Sequence, residues 1–204
     1  MVRYTDKACF IRSTRQDESG VTLTLHYLKK GDAMVSFVIN KQQFFISIYL
    51  LLRCLRETTD RQIFNEVIRG DTNNSFIRDR VEFILHEGKR HGVFRRRDAL
   101  ALVGSKFRVV LEAGPSLTDE EVGQFLVDSY VLVHLGEGEA AGDDKFCLLV
   151  FMLQKLLRYV NGSCVEDNSD ALANQEILTA GHLCVRSFVC SLVVGSFLRS
   201  STSL

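Results

Sequence analysis

Hydrophobic and polar positions alternate strictly near the start of the chain. Val21, Leu23, Leu25 and Tyr27 are interleaved with Thr22, Thr24 and His26. This period of two belongs to a strand with one buried face. Lys29-Lys30-Gly31-Asp32 interrupts it as a turn, and Val35, Phe37 and Ile39 resume it. A hairpin is predicted, with a further strand over Cys9–Arg12. After Phe45 the period becomes helical. Ile46–Leu55 is nearly all apolar and reads as a buried helix. Thr59 with Gln62 has capping-box spacing and opens another helix, whose inner stripe is Ile63, Phe64, Val67 and Ile68 and whose end is Gly70. Phe76, Ile77, Val81, Ile84 and Leu85 share one face of the next, with a break expected between Gly88 and Gly92.

The second half predicts a short helix over Arg96–Val103 stopped by Gly104, then a short strand over Phe107–Leu111. Thr118 and Glu121 form a second capping box, leading a helix that turns Val122, Phe125, Leu126, Tyr130 and Val133 inward. Gly136–Asp144 reads as a solvated loop, Phe146–Val160 as an apolar helix and Asn161–Gln175 as polar loop. A last helix is expected from Thr179 toward Leu198. The fold class is therefore α+β: N-terminal antiparallel strands followed by a helix-rich body. One domain over 1–204 is expected, strand-rich over 1–45, helical over 46–182, and ending in a terminal helix over 183–204. The apolar stretch Leu183–Leu198 is interrupted by Arg186 and is shorter than the roughly 20 residues of a membrane span. It reads as a buried helix whose packing partner lies in a neighbouring domain of a longer protein.

Composition adds limits. The chain has 204 residues, 25 basic and 25 acidic side chains, and one proline. That balance is globular and unlike the basic surplus of a free-standing nucleic-acid binder. Six cysteines occur without any CxxC, and the start Met1-Val2-Arg3-Tyr4 has no apolar signal core, so a reducing compartment is expected. No glycine-rich phosphate loop is present. Cys164, His182, Cys184 and Cys190 are a weak zinc suspicion, because structural zinc takes closely spaced ligand pairs. A thiol hydrolase needs a cysteine activated by a base or a helix start, and none of the six has that setting. No catalytic, cofactor-binding or metal residue is assigned.

Basic residues are the remaining candidates. Lys89, Arg90 and His91, then Arg95, Arg96 and Arg97, then Lys106 and Arg108 cluster mid-chain, with Lys155 and Arg158 on one face of a later helix. Such a cluster suits phosphates, an acidic partner, or plain solvation. Val35, Phe37 and Ile39 are the candidate protein-docking strand.

Several motifs resemble, in the same order, the second-largest subunit of DNA-directed RNA polymerases, in the region called the lobe (domain 2), and in particular the eukaryotic RNA polymerase I type. His26-Tyr27-Leu28 through Phe37 and Gln43-Phe44-Phe45 look like its strand pair and entry into the helices. Leu50–Leu55 followed by Asp60-Arg61-Gln62-Ile63-Phe64 resembles its leucine-rich helix and the S/T-D-x-x-I-F element. Ser75-Phe76-Ile77-Arg78, then Ala99–Arg108, then Met152-Leu153-Gln154-Lys155-Leu156-Leu157 follow suit. The most specific match is Glu166–Asp170 with Asn174–Gly181. There Ala171 and Ala173 replace the family's histidine and glycine, and Gln175-Glu176 replace its basic pair, which favours the polymerase I branch.

The resemblance implies a non-catalytic wall of the DNA cleft and a docking surface. The implied partners are the largest subunit, a small zinc-ribbon subunit, a TFIIF-like heterodimer and DNA in the assembled complex, with no membrane and a nuclear, nucleolar setting. The parent complex would be a nucleotidyltransferase, with its magnesium held elsewhere and no cofactor in this chain. The alternative is a stand-alone protein-interaction module.

Overall fold

In the computed structural model, residues 4–15, 19–69, 73–90 and 92–168 are described, with Leu172 and Gly181. The chain divides into two units, Met1–Val165 and Glu166–Leu204. The strands and helices that follow belong to the first. The loop motif Asn174–Gln175–Glu176, the helix expected from Thr179 and the boundary at 182/183 lie outside the described residues.

Four strands form an antiparallel meander: β1 (Tyr4–Thr14), β2 (Gly20–Leu28), β3 (Ala33–Ile39) and β4 (Gln42–Ser47), in that spatial order. The alternation of β2 does what its period demands. Leu23 and Leu25 are buried, and the register carries the same inner face across Ile11↔Leu23, Leu25↔Val35 and Val35↔Ile46. The β3–β4 turn is made by Asn40 and Lys41, both at positive φ, the paired left-handed geometry that matches strand twist in a two-residue hairpin. That turn makes Gln42–Ser47 a strand. The helical period expected from Ile46 begins two residues later, because Ile46 pairs with Val35 inside the sheet.

Six helices follow: α1 (Ile48–Leu55), α2 (Asp60–Ile68), α3 (Ser75–Lys89), α4 (Arg96–Phe107), α5 (Asp119–Tyr130) and α6 (Gly138–Val160). Every residue of α1 is buried. Each fully buried Leu or Ile contributes roughly 1.5–3 kcal/mol of transfer free energy, so this short helix is held by its surroundings rather than by its own propensity. Both capping boxes form. Thr59 accepts from the Gln62 backbone N–H, Thr118 from that of Glu121, and each partner side chain returns a bond to the cap residue. In α6 the inner face is Phe146, Leu149, Val150, Leu153, Leu156 and Leu157. Lys7 Nζ on β1 donates to the Val160 carbonyl at its C-terminus, 3.2 Å away.

The break expected between Gly88 and Gly92 is present, since α3 ends at Lys89. One glycine assignment is corrected: Gly104 does not end α4, which runs through it to Phe107. A Cβ on Gly104 would lie 2.8 Å from the Asp119 carbonyl carbon, and one on Gly123 would lie 2.9 Å from that of Leu100. Gly104 and Gly123 are reciprocal notches that let α4 and α5 touch backbone to backbone. The strand expected over Phe107–Leu111 is a run of turns closed by the Leu111 N–H to the Phe107 carbonyl. The loop expected over Gly136–Asp144 is mostly the first turns of α6, which begins at Gly138. Phe125 faces outward, 55% exposed.

Gly123→Ala is expected to lower stability by about 1–3 kcal/mol, because the Leu100 backbone cannot yield to an added methyl. Gly114→Ala, with only Ser116 Oγ nearby at 3.8 Å, should change it by less than about 0.5 kcal/mol. Urea melts of the two variants check this.

Candidate functional site

The chemistry of the first unit gathers around the C-terminal end of α1. Arg53 sits in its last turn, 4% exposed. Its guanidinium donates to the Thr58 carbonyl and to Asp60, and reaches the Phe94 carbonyl at 3.1 Å. Tyr49, one turn earlier, donates its hydroxyl to Asp60 Oδ1 at 3.0 Å. Lys89, at the end of α3, approaches Asp60 Oδ2 at 3.6 Å. One carboxylate thus receives three groups from two other helices. Burial raises the Tyr49 pKa. It also pushes the neighbouring Cys54 thiol up to about 12, against the lowering field of Arg96.

The mid-chain basic cluster does not act as one patch. Arg96 turns inward: its backbone N–H donates to Glu57 at 2.9 Å, its Nε to the Cys54 carbonyl at 3.0 Å, and its Nη2 to Gln124 at 3.0 Å. Gln124 in turn donates to Asp128 at 2.9 Å. Asp128 accepts from the Gly138 N–H and stands 3.6 Å from the buried ammonium of Lys145. Burial lowers the Lys145 pKa, partly offset by Asp128. Arg108 likewise serves structure, with Asp119 at 2.6 Å and the Leu117 carbonyl at 2.6 Å. Arg97 faces Glu120 at 3.9 Å, an exposed pair of small value. Arg90 and Arg95 are exposed, Arg95 at the N-cap of α4. Lys155 and Arg158 are half-buried on α6, a different helix. His91 lies outside the described residues.

The docking strand is corrected. Val35, Phe37 and Ile39 are at most 1% exposed, and β3 lies inside the sheet between β2 and β4. A period-2 pattern says that one face is buried, and here the apolar face is the core face. The outward residue on that strand is Val38, 51% exposed.

Sequence reading missed the Arg53 network and the Lys145 site. The signal for the first was a single cation inside an all-apolar helix. Lys145 follows two aspartates and looks like ordinary surface. Among the described residues no three His, Cys, Asp or Glu side chains are placed to hold a metal. Of the suspected zinc quartet only Cys164 is described, and it is in no disulfide. No helix among the described residues is long and apolar enough to cross a membrane.

The family described as RNA polymerase Rpb2, domain 2, matches residues 2–178. A probable DNA-directed RNA polymerase I subunit RPA2 of Schizosaccharomyces pombe is 43% identical over 180 residues. Subunit RPA135 of the same enzyme from Saccharomyces cerevisiae is 40% identical over 182 residues, and human RPA2 is 34% identical over 180. Each alignment covers 88% of this chain but only 15–16% of the relative.

Raising a thiol pKa by burial has a definite pH consequence. The unfolded thiol ionises near 9.0 and the folded one near 12. Between these values the unfolded state has lost a proton that the folded state keeps. Stability is therefore lost as pH rises, by up to about 1.4 kcal/mol per pH unit. Cys54→Ala is expected to flatten that slope in pH-dependent urea melts. At pH 8 the native protein should expose Cys147 to thiol reagents while Cys54 stays unreacted until unfolding.

Proposed function

The chain belongs to the RNA polymerase Rpb2 domain 2 family, of the polymerase I second-subunit type, and we propose that it is a non-catalytic body of that enzyme, forming a wall of the DNA cleft and a docking surface for smaller subunits in the nucleolus. The observation that carries this is the match of one domain over nearly the whole chain, supported by identities of 34–43% to subunits of polymerase I. The physics is compatible with scaffold work. Charged groups that looked available in sequence, Arg96 and Arg108, are consumed by helix-to-helix bonds. Exposed aromatics such as Phe10, Phe94 and Phe151 stand singly on the surface.

On this reading the parent complex is the nucleotidyltransferase, and this chain supplies no reacting group. Its partners are the largest subunit, the small zinc-ribbon subunit and a TFIIF-like heterodimer, with DNA in the assembled complex. Lys89, Arg90 and Arg95, with Lys155 and Arg158, are the residues proposed to meet phosphate or partner.

The tagged chain, expressed in cells of its own organism and purified at low salt, is expected to carry polymerase I subunits with it. Arg90→Glu with Arg95→Glu should reduce that recovery, or the DNA retention of the assembled enzyme, several-fold. A monodisperse chain free of polymerase subunits would support the stand-alone interaction module instead.

A further inference from the structure

We draw no further inference here: the strongest candidate, the outward face of the four-stranded sheet, where the exposed Phe10 and Val38 share a face with Thr24 and Ser36, carries nothing because nothing in the structure shows what covers it.

Discussion

A guanidinium lies at the end of the most apolar helix in the chain, and the arrangement of its neighbours follows from satisfying it. Burying a cation without partners costs several kcal/mol. Arg53 offsets that cost through its two terminal nitrogens, while its buried Nε has no hydrogen-bond partner among the described residues, and it draws three pieces of chain to one point: the 56–59 turn through the Thr58 carbonyl, the start of α2 through Asp60, and the entry to α4 through the Phe94 carbonyl. The same Asp60 receives Tyr49 and Lys89, so α3 is tied in as well. One ionic centre therefore sets where four helices meet. A leucine at position 53 would bury comparable area but would leave the Thr58 and Phe94 carbonyls to find other donors. The cation specifies an arrangement that apolar packing alone would leave less defined.

A second polar chain does similar work on the other side of α4. Arg96 links the end of α1 to Gln124, Gln124 to Asp128, and Asp128 to the buried Lys145 on α6. It works because Gly104 and Gly123 bring α4 and α5 within backbone contact, which puts an arginine on α4 within reach of a glutamine on α5. Close packing and polar bridging are thus one design. The glycines set the spacing and the side chains fix the register.

Much of the fold was legible because its signals are local. Two capping boxes, the β2 alternation and the apolar stripe of α3 each depend on residues within a few positions, and each formed as its spacing requires. The errors came where a residue's role is set by something distant. Gly104 reads as a stop because an isolated glycine weakens a helix, yet what decides is the carbonyl of Asp119 on another helix. Gly136–Asp144 reads as loop by composition, yet α6 begins at Gly138, and Gly142 lies against the Leu55 carbonyl. The site was less legible for the same reason. Arginines adjacent in sequence, Arg95 and Arg96, have opposite fates, because the helix that begins between them turns one to solvent and the other toward α1 and α5.

That division bears on how a neutral chain can contact charged partners at all. With 25 cations and 25 anions, no long-range field draws nucleic acid to the isolated body, and exposed charges more than about 8–10 Å apart are screened at physiological salt. Local contrast remains. On such a surface selectivity comes from matching donors, acceptors and shape over a few ångströms rather than from net charge.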